Sequence, residues 1–296
     1  MASHDNPGMH AMFNNANFTK VYAEAAEKMT GHFAGLLIKQ IKLEEVPDDT
    51  ELIVLDQACG TGVVSERLVS ALNNNQKANL DLTCADFSDT MIDFVGPRVR
   101  TLGVKCAQVI KADAMDTKLP SNKFTHVLLN FGPMIFSNWK VGMAELHRIL
   151  QPGGTLAMSS WKSLGWYDDV RDSFATDPEI PPWPPSGVLC DLINSGGGWS
   201  DVAWIRDSVA ASGFVDVDVR EVPHTSIFSG VDQLTRFVAS MVDLVQQRTW
   251  TAEQRESYKD RATKAVISYM KQKYGDGEIK WDWIALLTSA KKAASV

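Results

Sequence analysis

The sequence predicts an α/β fold built around a doubly wound, mostly parallel sheet. From Leu52 onward, short apolar runs alternate with segments of helical periodicity, which is typical of repeated strand–helix units. The first run, Leu52-Ile53-Val54-Leu55, is apolar at every position, as expected of a central strand covered on both faces. Two stretches of alternating hydrophobicity, residues 215–219 and 279–287, bring the sheet to seven strands.

The other elements follow in chain order. Apolar residues recur at spacings of three and four from Phe18 to Ile41, which predicts one amphipathic helix. Strands are predicted at residues 52–55, 80–85, 108–111, 125–129 and 155–159. Ser88 is the expected N-cap of the helix after the second strand. Pro152-Gly153-Gly154 is expected to end the helix before the fifth strand.

Composition narrows the range of partners. The chain has 296 residues and a formal net charge of −7, whereas a nucleic-acid partner usually requires a basic stripe, so none is expected. No apolar stretch reaches the roughly 18 residues of a membrane-spanning helix, and no basic leader begins the sequence. The four cysteines form no CxxC pair, so they do not indicate a zinc site. These features favour a cytoplasmic protein that acts without a nucleic acid or a membrane, and they imply no obligatory protein partner.

The strongest motif is the glycine-rich turn that follows the first strand. Asp56 is followed by Ala58, Gly60 and Gly62, which let the backbone turn sharply before a helix N-terminus. A dinucleotide fingerprint would require G-x-G-x-x-G, but positions 58, 60 and 63 hold Ala, Gly and Val. A nicotinamide oxidoreductase is therefore the weaker interpretation.

Further polar residues follow the next three strands. Asp86-Phe87 ends the second strand, where an acid can accept both hydroxyls of a ribose, and Met91 lies one helical turn later. Asp113-Ala114 follows the third strand, and Asn130-Phe131-Gly132-Pro133 follows the fourth.

Together these motifs resemble those of the class I S-adenosylmethionine-dependent methyltransferases. The turn resembles their acidic-x-G-x-G-x-G signature with Ala first, and residues 86–91 resemble the D-x-S-x-x-M pattern of the ubiquinone/menaquinone-type enzymes. Residues 113–120 and 145–154 resemble their D-A-x-x-L-P and E-x-x-R-x-L-x-P-G-G stretches. The resemblance implies a Rossmann-like, seven-stranded doubly wound sheet, mostly parallel with an antiparallel last strand, plus cap segments.

The resemblance also implies S-adenosyl-L-methionine as the cofactor and a set of residues that bind it. Asp86 would accept the ribose hydroxyls, Phe87 and Met91 would cover the adenine, and Asp113 and Ala114 would contact its edge. Asn130 would line the methionine end, and Tyr22 would approach from an N-terminal helix. The expected cofactor-binding residues are Tyr22, Asp56, Ala58, Gly60, Gly62, Asp86, Phe87, Met91, Asp113, Ala114 and Asn130.

The predicted organisation follows from this resemblance. An N-terminal helical lid (1–50) precedes a cofactor-binding Rossmann-like core (51–160), and a Trp/Pro-rich cap insertion occupies residues 161–204. The core continues through residues 205–230, a helical cap follows at 231–274, and a final core strand lies within 275–296. The tryptophans of the insertion either form a small hydrophobic core of their own or line a pocket for an apolar substrate. The expected pocket residues are Phe18, Phe131, Trp161 and Trp166.

The acceptor is the least determined part of the function. The Trp-rich cap and N-terminal helix resemble fungal secondary-metabolite methyltransferases, in particular thiol S-methyltransferases of the gliotoxin kind. A thiol has an ordinary pKa of about 8.5 and reacts as a thiolate, so it needs no dedicated base, and the sequence indicates none. Metal-dependent catechol-type relatives carry acids where this chain has Asn130 and Ser159-Ser160, so no metal is expected. O- or N-methylation of another metabolite, and a non-methylating cofactor-binding or rearrangement protein, remain alternatives.

Overall fold

The computed structural model describes residues 7–294 and contains one seven-stranded sheet in the order β3-β2-β1-β4-β5-β7-β6. The strands are β1 (Leu52–Gln57), β2 (Leu80–Asp86), β3 (Cys106–Lys111), β4 (Phe124–Asn130), β5 (Leu150–Ser163), β6 (Phe214–Ser229) and β7 (Glu278–Lys292). The helices are α1 (Pro7–Phe13), α2 (Ala16–Ala25), α3 (Glu27–Gln40), α4 (Val63–Ala71), α5 (Asn74–Ala78), α6 (Asp89–Arg100), α7 (Trp139–Ile149), α8 (Tyr167–Ala175), α9 (Ser186–Ile193), α10 (Val202–Ala211), α11 (Val231–Thr249) and α12 (Ala252–Tyr274).

The strand directions confirm the predicted fold class. Strands β1 to β5 pair in parallel, whereas β7 lies antiparallel between β5 and β6. The chain order reverses between β1 and β4, and doubly wound sheets bind ligands at the carboxyl ends of the strands beside such a reversal. β1 is buried at all but one of its positions because both of its faces are covered, as its apolar run predicts.

The N-terminal segment differs from the single helix predicted between Phe18 and Ile41. Two helices, α2 and α3, meet at Ala26, and α1 precedes them. Thr30 Oγ1 donates to the carbonyl of Ala26, which also accepts the backbone N–H groups of Met29 and Thr30. This shared carbonyl disturbs the regular ladder at the junction, and hydrophobic periodicity alone does not show it.

The two segments predicted as caps, residues 161–204 and 231–274, contribute helices that lie over the carboxyl ends of the strands. α12 packs against α8, and α11 packs against α9, α2 and α1. The buried carboxylate of Asp169 on α8 accepts hydrogen bonds from Lys273, Tyr274 and Trp281, which ties both segments to β7. The division of the chain into lid, core and cap stays a prediction.

The predicted helix stop at residues 152–154 is displaced. α7 already ends at Ile149, and Pro152-Gly153-Gly154 lies within the first residues of β5. Gly153 has a φ of 80°, so this segment bends within the strand instead of separating helix from strand.

Candidate active site

A large cavity lies at the carboxyl ends of the strands, between the sheet and the helices α1, α9 and α11. Its empty volume is about 1360 Å³, including its opening to solvent. All but two of the predicted site residues line it: Tyr22, Ala58, Gly60, Asp86, Phe87, Met91, Asp113, Ala114, Asn130, Phe18, Phe131, Trp161 and Trp166. The exceptions are Asp56 and Gly62.

The glycine-rich turn depends on backbone conformations that favour glycine. Ala58, Gly60 and Gly62 have φ values of 51°, 52° and 88°. A Cβ at Gly62 would lie 2.5 Å from Val95 Cγ2, so this glycine allows α6 to pack against the turn. At Gly60 no atom lies within 4 Å of such a Cβ, which leaves the backbone open beside the cavity.

Asp56 lies behind the turn and faces away from the cavity. Its Oδ2 accepts hydrogen bonds from the Ser65 hydroxyl at 2.6 Å and the Ser65 backbone N–H at 3.0 Å. Burial raises the pKa of Asp56 to about 7. Asp56 therefore ties the turn to the first turn of α4, and its geometry gives it no direct contact with a ligand.

Asp86 is fixed by the backbone at the end of β2. Its Oδ2 accepts the N–H of Gly60 at 2.9 Å, and its Oδ1 accepts the N–H of Ser88 at 2.9 Å. Burial raises the pKa of Asp86, while the bonds from Ser88 and Gly60 oppose that shift. Each carboxylate oxygen keeps a second lone pair, so the pair can accept two vicinal hydroxyls. These two acceptor oxygens fit the vicinal hydroxyls of the ribose of S-adenosylmethionine.

The adenine end of the predicted site contains residues that the sequence analysis missed. Met9, Met12 and Phe13 of α1 line the cavity, and His10 stacks on Phe87 with ring centroids 4.6 Å apart. The main signal for α1 was Pro7 at its first position, where proline commonly begins helices.

The carbonyl of Phe13 fixes the end of α1. It accepts the hydroxyls of Ser88 at 2.7 Å and Thr90 at 2.9 Å. Ser88 also caps α6, as predicted, by accepting the Met91 N–H. The end of α1 is thus hydrogen-bonded to the same turn that fixes Asp86.

The opposite end of the cavity is formed by Asn130 and the residues around it. Asn130 Oδ1 accepts the Ser159 hydroxyl at 2.7 Å, and its Nδ2 donates to the carbonyl of Thr30 at 3.2 Å. Phe131 has a φ of 56° and stacks on Trp161 with ring centroids 3.8 Å apart and an interplanar angle of 10°. This pair presents a rigid aromatic surface to the cavity.

One side of the cavity is apolar and is formed by residues after β5, by helices α9 and α11, and by β7. It consists of Leu164, Trp166, Ile193, Phe237, Met241, Leu244, Val245 and Trp283. The residues of α11 were not predicted to line the site. Their i, i+4, i+7 and i+8 spacing is the pattern that would have placed them on one face of a helix. We refer to these eight residues as the apolar wall.

Titratable side chains are few in this cavity. Among the described residues that line it, only His10, Tyr22, Asp86 and Asp113 can ionise below about pH 12. Burial raises the pKa of Tyr22 to about 12, so its phenol is protonated at neutral pH. Asp113 is exposed and its Oδ1 accepts the Met115 N–H. None of the four belongs to the apolar wall.

Among the side chains that the structure describes, no group of three or more His, Cys, Asp or Glu residues is arranged to hold a metal ion. Within residues 7–294, no helix combines the length and apolar character needed to cross a membrane.

Solved structures with the same fold include two named as methyltransferases and a [4+2]-cyclase. The chain superposes on a putative methyltransferase from Bacillus halodurans with a TM-score of 0.52 at 14% identity, covering 87% of this chain and 99% of that one. A phosphoethanolamine N-methyltransferase from Haemonchus contortus gives a TM-score of 0.55 at 13% identity, covering 99% of this chain and 61% of that one. The [4+2]-cyclase SpnF gives a TM-score of 0.51 at 17% identity, covering 90% of this chain and 81% of that one. At these identities the likeness concerns the fold alone.

Sequence relatives settle the family. A profile described as a methyltransferase domain matches residues 54–154. Methyltransferase tpcH of Aspergillus fumigatus is 30% identical over 96% of this chain and 99% of its own length. An acetylaranotin bis-thiomethyltransferase of Aspergillus terreus is 32% identical over 89% of this chain and 90% of its own. With the glycine-rich turn, the buried Asp86 and the cavity that both of them line, these matches show that the chain belongs to the class I S-adenosylmethionine-dependent methyltransferases and acts on a small molecule.

Proposed function

We propose that this protein methylates sulfur in a small, largely apolar thiol or dithiol of fungal secondary metabolism. The observation that carries the proposal is the apolar wall, which offers a substrate aromatic and aliphatic surface and no carboxylate, imidazole or amine. Support also comes from the 32% identical relative, which is named as a bis-thiomethyltransferase of acetylaranotin.

The chemistry of sulfur suits such a cavity. S-Adenosylmethionine supplies, when bound, a methyl group that is already activated by its sulfonium charge. A thiol with a pKa of about 8.5 has a few per cent of thiolate at neutral pH, and this anion attacks without a general base. An unactivated alcohol would need a base beside its hydroxyl. Of the four titratable residues that line the cavity, we assign Asp86 and Asp113 to the cofactor, His10 stacks on Phe87, and the phenol of Tyr22 is protonated at neutral pH.

The protein's own contribution is then positioning and the exclusion of water. The thiol proton is released to solvent before attack, and the new carbon–sulfur bond forms as the methyl–sulfonium bond breaks. The stacked Phe131 and Trp161 fix one side of the acceptor, while α11 closes the other side. Holding both reactants in line inside a dry cavity supplies most of what this reaction requires.

We assign the cofactor contacts as follows. Asp86 accepts the ribose hydroxyls, Phe87 and Met91 cover the adenine, and Asp113 and Ala114 contact its edge. The open backbone at Gly60 lies beside the cofactor, and Asn130 and Tyr22 line its methionine end. Asp56 and Gly62 act on the shape of the turn, since neither lines the cavity.

The same proposal includes the setting in which the enzyme works. The net charge of −7 favours an enzyme without a nucleic-acid partner, and we propose that it works in the cytoplasm. We also propose that it acts without a membrane or an obligatory protein partner, and that the cap helices set acceptor choice while the sheet edge binds the cofactor.

A competition assay tests the acceptor. Purified protein receives S-adenosylmethionine with equal concentrations of an apolar dithiol, a phenol and an amine of similar size, and mass spectrometry identifies the products. We expect S-methylated products, with kcat/KM rising with pH until the substrate thiol is ionised. Methylation of the phenol or amine without any turnover of the dithiol would contradict the proposal.

A further inference from the structure

One arginine outside the cavity connects three helices to the glycine-rich turn. Arg98, in the last turn of α6, donates from Nη1 to the carbonyl of Thr61 at 2.9 Å. The same guanidinium bonds both carboxylate oxygens of Glu27, at 2.5 and 3.0 Å, and one oxygen of Glu66 at 3.1 Å. Its side chain is only 26% exposed, and that of Glu27 is 16% exposed.

These bonds are stronger than an ordinary surface ion pair. The two bonds to Glu27 form a bidentate pair, the geometry in which arginine binds carboxylates best. Glu27 lies in the first turn of α3 and Glu66 in the first turn of α4, while Arg98 lies at the carboxyl end of its helix. Each charge thus has the sign that the adjacent helix end favours.

The bonded carbonyl belongs to the turn that lies beside the cofactor. Thr61 stands between Gly60, whose N–H binds Asp86, and Gly62, which lies against Val95 of α6. Glycine backbones are the most freely moving part of a chain, so the position of this turn depends on what holds it from outside. Arg98 supplies that contact, and through Glu27 it fixes the beginning of the helix that carries Thr30 to the cavity.

We infer that Arg98 is a positioning residue for the cofactor. It holds the glycine-rich turn through the carbonyl of Thr61, and it fixes the position of α3 relative to that turn through Glu27. It does not line the cavity and touches no reacting atom. The inference does not depend on which acceptor the enzyme methylates, because its effect is on cofactor binding.

Calorimetry with S-adenosylhomocysteine tests the inference without any acceptor. The variant Arg98→Met is compared with Arg148→Met, whose guanidinium makes the same type of bidentate pair with Glu145 and donates to the carbonyl of Leu119. We expect the Kd of Arg98→Met to rise about tenfold, and that of Arg148→Met to stay within about twofold of wild type. Thermal unfolding should report similar losses of stability for the two variants.

Two further variants keep the inference open to refutation if Arg98→Met does not fold. Arg98→Lys retains the positive charge but cannot form the bidentate pair, and Glu27→Gln retains the shape of the side chain but not its charge. Both variants should therefore raise the Kd for S-adenosylhomocysteine about threefold. In turnover assays these variants should raise the KM for the cofactor and leave kcat at saturation unchanged. An unchanged Kd in a folded Arg98 variant, or an equal rise in Arg148→Met, would overturn the inference.

Discussion

The hydroxyl of Ser159 accepts the backbone N–H of Phe131 at 2.9 Å and donates to Asn130 Oδ1 at 2.7 Å. Phe131 is a bulky residue with a φ of 56°, a conformation that costs free energy and persists only where its surroundings enforce it. The hydroxyl therefore fixes both the strained backbone of Phe131 and the amide of Asn130 at the end of the cavity opposite α1. Ser159 is 1% exposed, so no solvent can replace these bonds.

Removing this hydroxyl should impair turnover. In Ser159→Ala, the Phe131 N–H and Asn130 Oδ1 lose a buried partner, which should cost about 1–3 kcal/mol of unfolding free energy. We expect kcat/KM for the acceptor to fall as well, because the Phe131–Trp161 surface loses its fixed position. The control is Ser160→Ala, which removes a buried bond to the Trp199 carbonyl outside the cavity. Equal activity in the two variants, measured at equal denaturant stability, would refute the functional role of Ser159.

Asp86→Asn should weaken cofactor binding without unfolding the protein. The variant keeps the size of the side chain but replaces an acceptor oxygen that binds the Gly60 N–H with a donor, and it removes the charge that favours the ribose hydroxyls. We expect the Kd for S-adenosylhomocysteine to rise on the order of 10- to 100-fold. Asp89→Asn, which removes an exposed acid paired with Lys111, should bind like wild type in the same titration. Neither protein should bind NAD or NADP.

Trp166 and Trp183 allow the two interpretations of the tryptophan-rich insertion to be separated. Both are buried and their ring centroids lie 6.3 Å apart, but only Trp166 lines the cavity. Trp183 packs behind it against Phe174. We expect Trp166→Phe to raise the acceptor KM, and Trp183→Phe to leave KM unchanged while lowering stability by about 1–3 kcal/mol through imperfect repacking. A raised KM in Trp183→Phe alone would contradict this assignment.

Asp56 should make stability depend on pH. Burial raises the pKa of Asp56 to about 7, whereas an unfolded aspartate titrates near pKa 3.9. Between these two pKa values the native protein holds a proton that the unfolded chain has lost. The contribution of Asp56 to the free energy of unfolding is therefore fully present below about pH 4. It is lost as the pH rises towards 7, at up to about 1.4 kcal/mol per pH unit.

The measurement is urea unfolding across that pH range for wild type and Asp56→Asn. Asparagine does not titrate, so we expect the variant to lack the decline and to be relatively more stable near neutral pH. His126, whose burial lowers its pKa to about 4, contributes with the opposite sign, but it is present in both proteins and cancels in the difference. A difference that does not change with pH would show that Asp56 titrates normally.

Local sequence patterns were sufficient to predict the sheet and the residues at the strand ends that line the cavity. The apolar run of β1, the cap at Ser88 and the glycines of the turn each act on neighbours within a few residues, so their consequences can be predicted from the chain itself. Asp86, Asp113 and Asn130 were predicted as neighbours because the motifs that contain them resemble those of the family, and the structure places all three at the cavity.

Tertiary packing decided what local periodicity cannot express. The direction of Asp56 depends on Ser65 from another element, and the position of Arg98 beside Thr61 depends on where α6 rests against the turn. His10 reaches Phe87 only because the end of α1 is bonded to the turn after β2. These contacts join residues of different elements. A pattern within a single segment predicts the element itself but not which other elements it will contact.

The sequence by itself thus determined the strands, the glycine-rich turn and the cofactor family, because each is specified by short-range preferences of the backbone. Only the tertiary structure decided which aromatic side chains face the cavity, because Trp166 and Trp183 are the same residue type in the same segment and differ only in what packs around them. The apolar wall brings together residues of α9, α11 and β7 that lie far apart in the chain, and the burial of their apolar side chains in the folded protein fixes its shape.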